Sequence, residues 1–174
     1  MKFTLFYDGA LKAKGDKNHK HIIRKEFHKQ LKELWRHEPL CGDREYLEIV
    51  KKEVGNVFFV PLVTKEFRTT AEIHITLLRP GPPGKIYYGG DIDNRLKTLL
   101  DALKIPKKEE LPSHSPEEDE EQFFTLLEDD ALITNISINT DRLLIADADK
   151  KQSEVRLMLN VNIIKVFARL NGIA

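Results

Sequence analysis

The stretch GDIDNRLKTLLDAL, residues 90–103, is the part of this sequence from which both the fold and the chemistry are interpreted. Apolar residues recur in it at the spacing of one helix face, so it predicts an α-helix that begins near Asp91. The predicted core-facing residues are Ile92, Leu96, Leu99, Leu100 and Leu103. Asp93, Lys97 and Asp101 recur every four residues and form a polar stripe beside the apolar one.

On spacing alone, every charge of this polar stripe has a structural explanation. Asp91 would cap the helix, and Asp93 would be a favourable acid in the first turn, where backbone amides lack partners and the dipole is positive. Lys97 would bridge Asp93 and Asp101 as i,i+4 pairs that contribute only about 0.2–0.5 kcal/mol each. A capped amphipathic helix of this kind needs no function to explain it.

A catalytic explanation uses the same residues together with a second acidic run that ends at Asp130. Mg²⁺ prefers oxygen ligands and is commonly held by one or two carboxylates, waters and phosphate oxygens. Asp91 and Asp93 are close enough to share such an ion, and Asp130 would add a third carboxylate if the two acidic clusters meet. The ion would polarise a scissile phosphate. Lys97 would stabilise the charge that develops in the transition state, and Asn94 would hold a phosphate or orient a ligand.

Around the central helix, the sequence pattern predicts several strands and one long amphipathic helix. The predicted strands are at 2–7, 57–64, 69–78, 134–144 and 155–166, and the further helices are at 20–35 and, shorter, at 44–53. The length of 174 residues suits one domain with a core of its own. The order of the elements indicates a single α+β domain, residues 1–174, in which helices pack against one mixed β-sheet.

Between the two acidic clusters lies an insertion, residues 106–122, with three prolines and seven acidic residues. This composition predicts a flexible, solvated segment. A plain polar loop and an acidic flap that competes with DNA for a basic surface are both compatible with it. The apolar run FFTLL, residues 123–127, is interpreted as an anchor that follows the insertion.

The formal net charge of zero counts mildly against a nucleic-acid-binding protein, but the charge is unevenly distributed. Residues 1–104 hold 20 Lys and Arg against 14 Asp and Glu, a balance of +6, and the remainder carries −6. The outer face of the helix at 20–35 is basic. It is either an ordinary solvated surface or a surface that contacts phosphates and displaces counterions. His19, His21 and His28 are too irregularly spaced for a metal site and are interpreted as surface residues.

Composition also excludes several classes of protein. No apolar run approaches the ~18 residues that span a membrane. The first residues lack the apolar segment of a signal peptide, so the protein is expected to be cytoplasmic. Cys41 is the only cysteine, which rules out an internal disulfide and a metal site built on several cysteines. His74, on the polar face of a predicted strand, is expected at the surface.

The run from Asp91 to Leu103 resembles the signature of the RusA family of Holliday junction resolvases. The matching elements are Asp91, Asp93, Asn94, Lys97 and Asp101-Ala102-Leu103. The family also has paired aspartates before a strand, which Asp129-Asp130 resembles. The resemblance covers residues 91–133 by motif and the flanking strands by pattern. The family's proline-rich segment with an asparagine, after the first strand, is replaced here by residues 8–18, in which Asn18 is the candidate substitute.

This resemblance implies a homodimeric endonuclease that depends on Mg²⁺ or Mn²⁺ and nicks four-way DNA junctions in recombination and repair. It implies that Asp91, Asp93 and Asp130 are the metal ligands and that Lys97 is the essential catalytic cation. The matching supporting positions are Asn94, Asp101 and Asp129. The candidate DNA contacts are Lys12, Lys14, Lys17, Asn18, Lys20, Arg24, Lys85 and Arg95. The alternative is a non-catalytic DNA-binding or regulatory protein that retains the fold.

Overall fold

The computed structural model describes residues 1–42, 44–80, 92–112, 122–144 and 154–166. Two of the predicted site residues, Lys85 and Asp91, lie outside the described residues, and so do residues 113–121 of the predicted insertion. The other predicted site residues are all described.

Within these ranges the chain forms the alternating helices and strands that an α+β protein requires. The helices are α1 (Lys17–Leu34), α2 (Arg44–Val50) and α3 (Ile92–Leu103). The strands are β1 (Lys2–Ala10), β2 (Lys52–Val54), β3 (Val57–Val63), β4 (Thr69–Arg79), β5 (Gln122–Leu127), β6 (Ile133–Arg142) and β7 (Glu154–Lys165). The predicted helices and strands are therefore confirmed, with most ends within three residues. None of the described helices combines the length and hydropathy needed to cross a bilayer.

The strands form two sheets, whereas a single sheet was predicted. The larger sheet has the order β1-β7-β4-β6, in which β4 runs parallel to β6 and antiparallel to β7. The smaller sheet has the order β2-β3-β5, in which β3 and β5 run parallel. Both sheets are mixed. The prediction was wrong because the run at 123–127 was interpreted as an anchor, whereas it is most of β5, a strand with its own partner.

The core lies between the two sheets and the inner faces of α1 and α3. The alternation predicted for β4 is observed: Ala71, Ile73, Ile75 and Leu77 are all buried. On α1 the buried apolar residues are Ile23, Phe27 and Leu31, while the neighbouring Ile22 is 58% exposed. His74 points to the surface as predicted, and its Nδ1 lies 2.7 Å from Ser137 Oγ on β6.

The chain that leaves α3 is fixed against β5 before the acidic insertion begins. Lys104 forms a parallel bridge with Leu127, and the Ile105 N–H donates to the Leu127 carbonyl at 3.1 Å. Pro106 is buried, and a short 3₁₀ helix, Lys108–Glu110, follows it. Pro106 is therefore packed in the body of the protein and residues 110–112 are half-buried, whereas residues 107–109 are exposed as the prediction of a solvated segment requires.

Candidate functional site

An open cleft of about 490 Å³ runs along the exposed side of α3. It is lined by Asp93, Leu96, Lys97, Leu100, Asp101, Lys104 and Asp130. Asp93 comes from the first turn of α3, and Asp130 comes from the acidic run that follows β5. The fold thus brings the two predicted acidic clusters to the same cleft, although they are far apart in sequence.

The orientation of α3 agrees with the predicted one in part. Leu99 and Leu103 are buried in the core as predicted, whereas Ile92 is 37% exposed. Leu96 and Leu100 are half-buried, because they pack against the core and also line the cleft. Arg95 and Thr98 are buried as well, at 7% and 3% exposure, which the apolar stripe did not predict. The helix has this orientation because its other flank packs against α1 and the loop between β1 and α1, which supplies polar partners.

The loop between β1 and α1, residues 11–16, is held on α3 by two hydrogen bonds. Arg95 Nη1 donates to the Leu11 carbonyl, and the Gly15 N–H donates to Thr98 Oγ1 at 3.3 Å. A Cβ at Gly15 would lie 2.6 Å from Thr98 Cγ2, so only glycine permits this close approach. The exposed residues Lys12 and Lys14 are thereby fixed beside α3.

The candidate DNA contacts divide into exposed and buried side chains. Exposed side chains belong to Lys12, Lys14, Lys17 and Asn18. Arg24 and Arg95 are 2% and 7% exposed, so neither guanidinium is available to a phosphate, contrary to the prediction. The Arg24 side chain is buried because it extends from α1 to α3, where its Nη2 donates to the Asp101 carbonyl at 2.8 Å. Lys20 is also engaged within the protein, 2.7 Å from Asp101 Oδ2.

Asp101 is at the centre of an ion-pair cluster that differs from the predicted i,i+4 pairs. Its carboxylate contacts Lys20 Nζ at 2.7 Å and Lys104 Nζ at 3.4 Å, and its side chain is only 12% exposed. Lys97 forms no ion pair with Asp93 or Asp101. Among the described residues, Lys97 has no ion-pair partner at all, and its exposed side chain projects along the cleft.

Asp129 and Asp130 have different structural roles at the end of the cleft. Asp129 caps the 3₁₀ helix Asp130–Leu132, and its Oδ1 accepts the Ala131 N–H at 2.9 Å. That hydrogen bond is the main reason why the pKa of Asp129 lies below its usual range. Asp130 leaves 43% of its side chain exposed and contacts Lys104 Nζ at 2.8 Å. Asp129 therefore supports the turn, and Asp130 faces the cleft.

Lys104 is a site residue that was missed in the sequence. Burial lowers its pKa, but the hydrogen bond and charge of Asp130 and the charge of Asp101 outweigh this effect, and the net shift is upward. The available signal was its position three residues after Asp101, on the same helix face. Its pairing with Asp130 could not be seen, because that contact depends on how α3 meets β5.

Asp93 and Asp130 lie towards opposite ends of the cleft. Asp93 precedes Lys104 by eleven residues, which corresponds to about 16 Å along the helix axis. No three Asp, Glu, His or Cys side chains within the described ranges are close enough to hold one metal ion. Asp91, the third predicted ligand, is outside those ranges, so the predicted three-carboxylate site stays a prediction.

Two of the three histidines of α1, His19 and His28, are buried, and His21 is half-buried, so the prediction that all three are surface residues was wrong. His19 is buried and its Nε2 accepts the Lys12 N–H at 3.1 Å. His28 is buried, stacks on Phe123 and accepts the Phe124 N–H through Nδ1 at 2.8 Å. His21 is half-buried, and burial, with smaller effects from Arg24 and Lys25, lowers its pKa to about 4. These rings connect α1 to its surroundings.

We expect the free energy of unfolding to fall as the pH is lowered from about 6.5 to about 4, with part of the loss due to His21. The folded-state pKa is depressed, so the unfolded chain takes up this proton first and is favoured throughout that window. Since His21 is partly solvated, we expect about 1–2 kcal/mol from this group. Denaturant unfolding between pH 4 and 8 measures it. The free energy of unfolding of His21→Gln should change less with pH than that of wild type. An identical change with pH in both proteins would contradict a contribution from His21.

Comparison of the chain with protein-family models, with curated proteins and with solved structures finds no match in any of the three.

Proposed function

We propose that this protein is a Mg²⁺-dependent endonuclease of the RusA type that cleaves branched DNA such as four-way junctions. The observation that carries the proposal is the shared cleft, which is lined by the carboxylates of Asp93 and Asp130 and by Lys97 and Lys104. A cleft with both carboxylates and lysines suits the cleavage of phosphodiesters. The carboxylates attract a metal cation, and the lysines attract the phosphate groups of the backbone. The resemblance of residues 91–133 to the RusA signature supports the choice of reaction.

The donor set of the cleft fits a hard divalent cation. Asp93 and Asp130 are carboxylates with solvent-exposed surface, and among the described residues no histidine or cysteine lines the cleft. Asp101 is not a good further ligand, because two lysines already occupy its carboxylate. In the proposed site Asp93, Asp91 and Asp130 would hold the ion, which requires the Asp130 carboxylate to leave Lys104 and approach Asp93. When bound, Mg²⁺ supplies polarisation of the scissile phosphate and a more acidic water.

The lysines of the cleft would bind and orient the DNA backbone. Lys97 is exposed and has no ion-pair partner among the described residues, so its ammonium can contact a phosphate oxygen. Near the scissile phosphate, a fixed positive charge favours the extra negative charge of the transition state. A homodimer would present two such clefts, one for each of two symmetric nicks in a two-fold symmetric junction.

The proposal is tested by incubating the purified protein with a synthetic four-way junction and with a linear duplex of the same sequence. We expect paired nicks in the junction with Mg²⁺ or Mn²⁺ and no nicks with EDTA. We expect much weaker cleavage of the linear duplex. Absence of both binding and cleavage of the junction, with the metal present, would reject the proposal.

The basic loop should contribute to affinity without contributing to cleavage chemistry. We expect Lys12→Glu combined with Lys14→Glu to weaken junction binding about tenfold or more at low salt, because each exposed lysine that neutralises a phosphate releases a counterion. Binding measured over a range of salt concentrations should also show a smaller salt dependence than wild type. Lys2→Glu combined with Lys165→Glu is the matched control; an equal loss there would indicate a nonspecific charge effect.

A second candidate is a DNA-binding protein that keeps the fold without cleaving. One observation favours it: the carboxylate of Asp130 is already paired with Lys104 at 2.8 Å. If that pair persists in the presence of metal and DNA, the cleft would bind phosphate but lack a complete ligand set. The junction assay separates the two candidates, since this one predicts binding without nicks.

A further inference from the structure

The edge strands of the two sheets differ in how their outer backbone groups are protected. The strand order leaves β1 and β6 at the edges of the larger sheet, and β2 and β5 at the edges of the smaller one. A free edge presents unpaired N–H and C=O groups that attract a further strand, so proteins usually cover or shorten such edges. An edge that is left long and uncovered is therefore a place where another strand can pair.

Three of the four edges are protected within the chain. On β1, the side-chain amide of Gln30 replaces a neighbouring strand: Oε1 accepts the Phe6 N–H at 2.8 Å, and Nε2 donates to the Phe6 carbonyl at 2.7 Å. On β5, His28 Nδ1 accepts the Phe124 N–H at 2.8 Å, and the chain that leaves α3 covers the end of the strand. β2 has only three residues, so it offers a very short edge.

β6 is the edge without such protection. It is ten residues long, and within the described parts of the chain β4 is the only segment that forms hydrogen bonds with it. Its sequence, ITNISINTDR, contains no proline or lysine and no charge before Asp141. It therefore lacks the residues that usually discourage the pairing of edge strands.

The core-facing side of β6 is also incompletely covered. Ile136 and Ile138 lie opposite the buried Ile73 and Ile75 of β4, so both point to the core side of the sheet. Ile136 is nevertheless 37% exposed, and Ile138 is only half-buried. A strand added beside β6 would place its own side chains against both isoleucines and remove apolar surface from water.

We propose that β6 is the interface for a second copy of this chain, and that two β6 strands pair antiparallel about a two-fold axis. The pairing joins the two four-stranded sheets into one continuous sheet. In this register Ser137 faces its own counterpart beside the axis, Ile136 faces the partner's Ile138, and Asn135 faces the partner's Asn139. The inference supplies an interface for the homodimer of the proposed function, but it rests on the strand edge and not on the proposed cleavage.

The sequence of β6 is self-complementary in this register. Ile136 and Ile138 meet on the core side, and the two asparagines, which both donate and accept hydrogen bonds, meet on the outer side. Centring the pair on either isoleucine would place the other one opposite threonine, and a shift by one residue would oppose core-facing and outer-facing side chains. Asp141 and Arg142 lie at opposite ends of the antiparallel pair in the two copies, so like charges do not meet.

Cysteine cross-linking tests the pairing and its register. In a Cys41→Ser background, which removes the one natural cysteine, Ser137→Cys places a thiol beside the axis. Directly opposite residues have Cβ atoms about 4.5–5.5 Å apart, which a small backbone movement brings within reach of a disulfide. We expect mild oxidation with diamide to link most chains as dimers. Asn139→Cys is the matched control: its two copies would be about 14 Å apart, so we expect at least tenfold less cross-linked dimer.

Sedimentation velocity at several protein concentrations tests the same interface without oxidation. We expect wild type to form a dimer, and Ile136→Lys to raise the dissociation constant at least about tenfold, because it places a charge on the core side of the pair. Ile164→Lys is the control, since Ile164 has the same 37% exposure but lies on β7, outside the interface. Ser137→Lys, which opposes two like charges at the axis, repeats the test if Ile136→Lys does not fold.

Each outcome supports or overturns the inference. A monomer at every concentration, with no cross-link at residue 137, would leave the edge to a strand of another protein and overturns the pairing of two copies. A dimer that persists in Ile136→Lys and Ser137→Lys, or equal cross-linking of the two cysteine variants, overturns it as well. If wild type pairs through β6 but does not nick junctions, the inference stands and the proposed endonuclease activity fails. If wild type nicks junctions without this pairing, only the interface fails.

Discussion

Asp93→Asn is expected to reduce Mg²⁺-dependent junction cleavage by about 100- to 1000-fold while junction binding stays within about threefold of wild type. The amide has nearly the shape of the carboxylate but carries no charge, so it is a poor ligand for a hard cation. Asp93 is exposed in the first turn of α3 and forms no ion pair within the described residues. The substitution should therefore change the melting temperature very little. Single-turnover cleavage and a binding titration in Ca²⁺ measure the two effects separately.

A matched control distinguishes this effect from a general loss of negative charge. Asp141 is also exposed, but it lies near the end of β6 and does not line the cleft. We expect Asp141→Asn to cut junctions at the wild-type rate. Wild-type cleavage by Asp93→Asn would exclude this carboxylate from the reaction. An equal loss of cleavage rate in both variants would indicate an effect of net charge and not of metal coordination.

Arg24→Ala is expected to destabilise the protein by about 3 kcal/mol, which lowers the melting temperature by about 6–12 °C. Arg24 is 2% exposed, and its Nη2 bonds the Asp101 carbonyl at 2.8 Å between α1 and α3. Burial lowers the pKa of Arg24 to about 10, although Glu110 and Asp101 act in the opposite direction, so it stays charged at neutral pH. Removal leaves both a cavity and an unpaired carbonyl.

Two comparison variants show which part of Arg24 matters. Within the described residues, Arg24 Nε and Nη1 have no hydrogen-bond partner, so the buried charge is itself costly. Arg24→Met fills most of the volume without the charge, and we expect it to cost only about 1 kcal/mol. Arg36→Ala removes an exposed arginine paired with Glu33 and should cost less than about 0.5 kcal/mol. A melting temperature for Arg24→Ala within a degree of wild type would contradict a role in joining the helices.

Local patterns in the sequence were sufficient to locate most elements of secondary structure. The alternation of Ala71, Ile73, Ile75 and Leu77 marks β4, and the spacing of Ile23, Phe27 and Leu31 marks α1, because each periodicity reflects burial on one side. β5 was not predicted as a strand because residues 123–127 are all buried. A strand that is buried on both faces shows no alternation of apolar and polar residues. The number of sheets could not be predicted without that strand.

The orientation of α3 shows a different limit. Its apolar stripe correctly placed Leu99 and Leu103 in the core. Ile92 is exposed, however, and Leu96 and Leu100 pack only partly against the core and also line the cleft. Arg95 and Thr98 are buried as well, because the loop that contains Gly15 offers them hydrogen-bond partners. Hydrophobicity alone cannot anticipate this choice, since it depends on polar groups that arrive from a distant part of the chain.

By itself, the sequence determined the α+β class, the bounds of most helices and strands, and the candidates Asp93, Lys97 and Asp130. Those features depend on neighbours within a few residues, where helix and strand periodicity act directly. Only the tertiary structure decided that Arg24 is buried and that Lys104 pairs with Asp130. Such pairings join residues that are far apart in sequence, so they follow from how α1, α3 and β5 pack together and not from local spacing.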